Sequence, residues 1–171
     1  MSNYQADDVL LKLIEHYESL HDGDLTMIGL QPKMDPSGIW TEGWGHAIVN
    51  PKTGKFVEGI KNKALAYSLA IVKTREEADI LLKSDLRPRL YTVNKTGFAK
   101  NQGQFNALVD ILYNCGNKGL NEVISDIRNG ISVDVAMMKH NMSKGKVLPG
   151  LTYRRKTDIL LFNTGTLKFF N

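Results

Sequence analysis

Asp35-Pro36-Ser37-Gly38-Ile39-Trp40-Thr41-Glu42-Gly43-Trp44-Gly45-His46 is the stretch on which the reading of this chain turns. Met34 to Gly38 is turn chemistry, because Asp before Pro caps local N–H groups and Gly closes the turn. Ile39-Trp40-Thr41 reads as a short strand, with β-branched Thr41 suited to it. Gly43-Trp44-Gly45-His46 reads as a tight strand end, and Asn50-Pro51-Lys52-Thr53-Gly54 as another turn. Residues 25–59 therefore predict a small, glycine-rich β region.

Outside it the pattern is helical. A first helix starts after Asp7 or Asp8 as N-cap, carries Leu10, Leu13, Ile14 and Tyr17 on one face, and ends near Leu20 before His21-Asp22-Gly23-Asp24. Thr74-Arg75-Glu76-Glu77 is a capping box opening a helix with Ala78, Leu81, Leu82, Asp85 and Leu86 on helical spacing. Pro88 predicts a kink or break there. Further helices are expected over about 102–115, 121–129, 132–142 and 150–162.

The chain has 171 residues, 42% of them hydrophobic and 23% charged, as an ordinary globular protein does. A single cysteine, Cys115, excludes an internal disulfide. No apolar run nears the roughly 18 residues that span a bilayer. The start, Met1 to Asp8, lacks the basic and apolar parts of a signal peptide, so synthesis in the cytoplasm is expected. Charge is uneven. Residues 1–50 carry two basic and eight acidic side chains, whereas 51–171 carry twenty basic and ten acidic, a remainder of +10. That remainder points to a polyanionic partner: nucleic acid, anionic lipid or anionic cell wall.

Several side chains are candidates for chemistry. Glu18 borders the apolar stripe of the first helix and lies in its last turn; both features disfavour the ionised carboxylate and favour a general acid. Asp35 fits a turn former, Thr41 a strand residue, and His46 a packed imidazole as readily as a catalytic one. No third carboxylate or histidine stands at ligand spacing, so neither a metal nor a cofactor is expected.

Together these residues say more. Leu13-Ile14-Glu15-His16-Tyr17-Glu18-Ser19-Leu20 followed by Asp35 to His46 resembles the active-site segment of the phage-type lysozymes, glycoside hydrolase family 24: a Glu ending the first helix, an Asp, a Thr, then Gly-x-Gly-His. Thr74 to Leu86 resembles the family's interlobe helix. Gln104 to Val109 with Tyr113-Asn114-Cys115-Gly116 resembles its central helix. Pro149 to Arg155 with Leu160-Leu161-Phe162 resembles its closing helix. Two departures stand out. Sixteen residues separate Glu18 from Asp35, about twice the usual spacing, so a longer loop lies within His21–Lys33 and Asp22 or Asp24 competes with Asp35. Ser19 replaces a usual Gly, and Glu42 a usual apolar residue.

The resemblance implies an α+β, mainly α, lysozyme-like fold. One domain would span 1–171, a β-containing lobe over about 20–60 packing beside a helical lobe of 1–19 and 61–171, with the active site in the cleft. It implies an N-acetylmuramidase that cuts the β-1,4 bond between N-acetylmuramic acid and N-acetylglucosamine in bacterial peptidoglycan, by inversion. Glu18 would be the general acid, Asp35 the base or stabiliser, and Thr41 the holder of water, with His46 and Arg154 in support; Arg154 or Arg155 would tie the last helix to the lobe carrying Glu18. It further implies a monomer that leaves the host cytoplasm through a holin-type pore, with no nucleic-acid partner and no stable membrane anchoring. The alternatives are a lytic transglycosylase on the same bond, and a non-catalytic wall-binding module.

Overall fold

The computed structural model describes residues 3–143 and 145–171; Met1 and Ser2, where the N-terminal stretch begins, and Lys144 lie outside the described residues. Helix α1 spans Asp8–Glu18. Asp7 is its cap, its Oδ1 accepting the Leu10 N–H at 2.9 Å. Leu10, Leu13 and Ile14 are buried, as the spacing requires. The helix stops where Ser19 turns left-handed, at φ 58°. This is the conformation glycine adopts most cheaply, and it explains what a Gly would contribute at that position.

The β region follows as predicted. Strands β1 (Lys33–Met34), β2 (Trp40–Glu42) and β3 (His46–Ala47) form an antiparallel sheet in that order. Lys33 pairs with Thr41, Thr41 with Ala47 and Glu42 with His46. Strands β4 (Val49–Asn50) and β5 (Lys55–Phe56) form a hairpin over the Asn50–Gly54 turn. Trp40, Ile48, Val57 and Ala66 make a small core beneath, the last contributed by helix α2 (Lys63–Leu69).

Helix α3 runs from Arg75 to Thr96. Its capping box is formed, with the Glu77 N–H on Thr74 Oγ1 at 3.2 Å and the Thr74 N–H on Glu77 Oε2 at 3.0 Å. The expected break at Pro88 does not occur. Pro88 and Ser84, whose carbonyl loses its partner to the proline, are both exposed, so the lost bond falls on the solvent side and the helix continues. Helix α4 covers Gln102–Arg128 but is interrupted at Gly116 (φ 68°, ψ −174°), which restores the two separate helices read from sequence.

Helix α5 is shorter than expected, Val133–Met138. Residues 139–141, expected at its end, form a turn instead, and Met142 opens a hairpin of β6 (Met142–Ser143) and β7 (Lys146–Val147). Helix α6, Pro149–Thr164, begins on its proline and is closed by left-handed Gly165. It packs on α4 and α5.

The chain forms two compact units: Glu18–Asp85, and the remainder, Met1–Tyr17 with Leu86–Asn171. The second is built on fully buried Leu10, Leu13, Phe105, Leu108, Ile111, Met137 and Leu161. Among the described residues, no helix is long and apolar enough to cross a membrane.

Candidate functional site

Four of the five candidate residues, Glu18, Asp35, Thr41 and His46, belong to the unit Glu18–Asp85; Arg154 belongs to the other. Glu18 is the last residue of α1 and is half-buried. The chain leaving it is pinned to the glycine-rich turn, with the His21 N–H on the Gly43 carbonyl at 2.8 Å. Gly45, at φ 94°, brings bare backbone up to the acid: an ideal Cβ there would stand 3.5 Å from Glu18 Oε2. At that φ a side chain at Gly45 would be strained, and its Cβ would stand in van der Waals contact with the carboxylate. Both glycines of the Gly-x-Gly-His pattern are thus required by their left-handed backbone, and the second lies beside Glu18.

Asp35 follows β1 directly and builds its own turn. Its Oδ1 accepts the Ser37 N–H (2.8 Å), the Ser37 hydroxyl (2.7 Å) and the Ile39 N–H (2.9 Å). Slight burial pushes the carboxyl's pKa up. The Ser37 hydroxyl bond, with backbone N–H groups of Ile39, Ser37 and Gly38, outweighs it and holds Asp35 below the usual carboxylate range. Asp35 is therefore anionic at neutral pH, the state a base or charge stabiliser requires.

Thr41 is buried in the centre of the three-stranded sheet. Its hydroxyl donates to the Lys33 carbonyl at 3.0 Å, so toward a water the Thr41 oxygen can only accept. The two competing aspartates are otherwise placed. Asp24 Oδ1 takes the Thr26 hydroxyl and N–H at 2.6 and 3.2 Å, and Asp22 Oδ1 is buried without a hydrogen-bond partner.

His46 and Glu42 face each other across β2 and β3, on the side of the sheet opposite Thr41. His46 Nδ1 lies 2.9 and 3.0 Å from the two oxygens of Asp85 on α3. That bond raises the imidazole's pKa; burial opposes it, and the Asp85 and Glu42 charges add to it. Trp44 is held in the same way, its indole N–H on Asp79 Oδ1 at 2.7 Å. Glu42 points inward: its Oε2 accepts the N–H groups of Ile71 (2.9 Å) and Val72 (2.8 Å), tying β2 to the segment before α3. Asp79 and Asp85 escaped the sequence reading as partners. The signal was present in Asp85, a carboxylate three residues after buried Leu82 on an otherwise apolar face.

Arg154 is buried and grips Asp110 with both prongs, Nε to Oδ2 at 2.8 Å and Nη2 to Oδ1 at 2.7 Å. Its guanidinium also lies over the Tyr17 ring, 5.6 Å from the centroid. Arg155 is fully buried, with Nη2 at 3.3 Å from Asp110 and Nε at 2.9 Å from Asp158. Burial pushes Asp110 up, but the Arg154 charge and bond outweigh it and hold the carboxyl low. Burial and then the Asp110 charge drive Asp158 the other way, well above the usual range. Among the described residues no group of three or more His, Cys, Asp or Glu side chains is placed to hold a metal ion.

A helix-ending Glu against a glycine-rich turn, an ionised Asp on the neighbouring hairpin and a mainly helical remainder define an α+β fold of the lysozyme class. A sequence model of the phage lysozyme family matches residues 26–158, a span that includes Asp35, Thr41, His46 and Arg154 but begins after Glu18. The chain belongs to that family. It is 34% identical over 103 residues to the endolysin of Bacillus phage PZA, covering 57% of this chain and 40% of that protein. It is 28% identical over 128 residues to the endolysin of Lactococcus phage c2, covering 73% of this chain and 48% of that protein. The chain thus spans less than half the length of either relative. Among solved structures, the endolysin from Escherichia coli O157:H7 phage FAHEc1 matches with a TM-score of 0.69 at 22% identity, covering 98% of each chain. The muramidase domain of SpmX from Asticaccaulis excentricus matches with a TM-score of 0.66 at 25% identity, covering 94% of this chain and 99% of that one.

Proposed function

We propose that this chain is a peptidoglycan hydrolase, an N-acetylmuramidase cutting the β-1,4 bond between N-acetylmuramic acid and N-acetylglucosamine. The observation that carries the reading is the family match over 26–158 combined with Asp35 held anionic in the same compact unit as Glu18. Likeness to a muramidase domain supports the same reading.

Glycoside hydrolysis needs one carboxylic acid to protonate the leaving oxygen and a second group to handle water or the oxocarbenium charge. Glu18 supplies the proton. Asp35 takes a proton from the attacking water, and Thr41 accepts that water's other hydrogen, since its own proton is committed to Lys33. Attack by water on the face opposite Glu18 gives inversion. His46 and Trp44 act through position, fixing the Gly43–His46 turn against α3 so that Gly45 stays beside the acid. The enzyme works as a monomer without a cofactor, is made in the host cytoplasm, and reaches the wall through a pore of the holin type.

Turbidity clearing of purified cell walls tests the assignment. Glu18→Gln abolishes clearing with an unchanged thermal melt, and Asp35→Ala costs far more activity than Asp22→Ala or Asp24→Ala. Full lysis by Glu18→Gln, or a dead Asp22 or Asp24 variant beside an active Asp35 one, overturns it.

A further inference from the structure

The long loop between His21 and Lys33 is not used by the proposed chemistry. It is nonetheless carefully built. The Gly23 N–H donates to the Gln31 carbonyl at 3.0 Å and closes the loop at its base. A Cβ on Gly23 would collide with the Pro32 carbonyl, so the two ends touch. Inside, Asp24 caps Thr26, and the buried Gln31 amide donates to the Ile28 and Gly29 carbonyls at 3.1 and 3.3 Å. The Leu30 N–H reaches the Lys73 carbonyl at 2.9 Å. Polar groups hold the loop, and its apolar side chains are left outside: Leu25 is 84% exposed, Met27 49% and Ile28 fully exposed. An ordered apex of three aliphatic side chains in water marks a contact surface.

We propose that this apex docks on an anionic lipid surface, with Leu25, Met27 and Ile28 entering the boundary between headgroups and acyl chains. Shape and chemistry select that partner. A protein interface needs about 800 Å² from each side, more than three side chains provide. A sugar face favours flat aromatic rings, and residues 22–33 contain none. Aliphatic side chains projecting from a loop suit the roughly 5–10 Å depth of interfacial insertion.

Charge agrees. The loop carries two acids, Asp24, its carboxylate open to solvent and bonded to Thr26, and Asp22, with Oδ1 buried, and lysines at its base outnumber them. Three exposed lysines rise from its base. Lys33 ends the loop, Lys63 lies near enough for its charge to act on Asp24, and the Lys73 backbone carries Leu30 while its Cβ packs against Gly29. Cations beneath an apolar tip complement anionic headgroups. The contact is reversible, because three side chains fall short of a stable anchor. It stands whichever bond the enzyme cuts.

Co-sedimentation of the full chain with vesicles tests this, comparing pure phosphatidylcholine with an equal mixture of phosphatidylcholine and phosphatidylglycerol. The wild type sediments with the anionic vesicles and not with the zwitterionic ones. Leu25→Gln/Ile28→Gln lowers that partition on the order of tenfold or more, while its melt, wall lysis and binding to purified sacculi stay unchanged. Lys63→Gln/Lys73→Gln weakens vesicle binding at low salt. The proposal is overturned if the wild type ignores anionic vesicles or if the apex variant binds them equally. It is also overturned if that variant loses sacculus binding or a self-association instead of lipid binding, since the apex then contacts glycan or a second copy.

Discussion

Replacing Asp85 by Asn removes the charge that holds His46. In the folded protein the imidazole meets both Asp85 oxygens, at 2.9 and 3.0 Å, and that bond raises its pKa. A group whose folded pKa is raised holds its proton more tightly folded than unfolded. The pair's contribution is therefore complete below the unfolded histidine value of about 6.5 and is lost as pH rises through the folded value. A hydrogen bond to a charged group contributes about 1.5–3 kcal/mol. The side chains are 34% and 23% exposed, and solvent screening reduces this to about 1–2 kcal/mol. In a chain of this size that corresponds to a Tm drop of roughly 2–8 °C. Thermal melts of wild type, Asp85→Asn, His46→Asn and the double variant measure it at about pH 5.5 and about pH 8.5. The double-mutant cycle separates the pair from other Asp85 contacts. The coupling is largest at the acidic pH and fades at the alkaline one. A coupling that grows with pH, or is absent at pH 5.5, refutes the reasoning.

Three further outcomes follow from the same geometry. Ser19→Gly relieves a left-handed serine whose strain costs about 1–2 kcal/mol against about 0.5–1 kcal/mol of added chain entropy, so denaturant melts show a gain of about 0.5 kcal/mol; a loss would mean that the Ser19 side chain has a role the backbone angle does not reveal. Glu42→Ala strips the acceptor from two N–H groups, one of them on buried Val72, and lowers unfolding free energy by about 2–3 kcal/mol in urea. Ser37→Ala removes the 2.7 Å hydroxyl bond to Asp35 and moves the acid limb of kcat/KM to higher pH, because that bond helps hold the carboxyl below the usual carboxylate range. An unmoved limb would detach Asp35 from the base role.

Much of the fold was legible because local chemistry and tertiary structure agree. Asp7 as cap, the Thr74–Glu77 box and the turns at Asp35 and Asn50 all form as their residue types demand. Of the kink or break expected at Pro88, the break is absent: proline's cost falls on one backbone bond at an exposed stretch of helix, and that exposure is a tertiary property invisible in the periodicity. The β6–β7 hairpin was missed because two-residue strands carry no alternation to detect. At the site, the residues proposed to carry chemistry stood out by motif, whereas those that fix their positions did not. Glu42, Asp79 and Asp85 are surface-type residues on paper, and only folding brings Glu42 to the N–H groups of Ile71 and Val72, Trp44 to Asp79 and His46 to Asp85. Arg154 is expected in support of the site, and its bidentate grip on Asp110, forty-four positions away, cannot be read from spacing.

The reading of Glu18 and Asp35 as the working pair of a muramidase is tested most directly by the ends of the glycan fragments. Purified peptidoglycan digested by the wild type should give, by mass spectrometry, fragments ending in reducing N-acetylmuramic acid, with none released by Glu18→Gln. Fragments ending in 1,6-anhydro sugars, or the same reducing ends from Glu18→Gln, would contradict it.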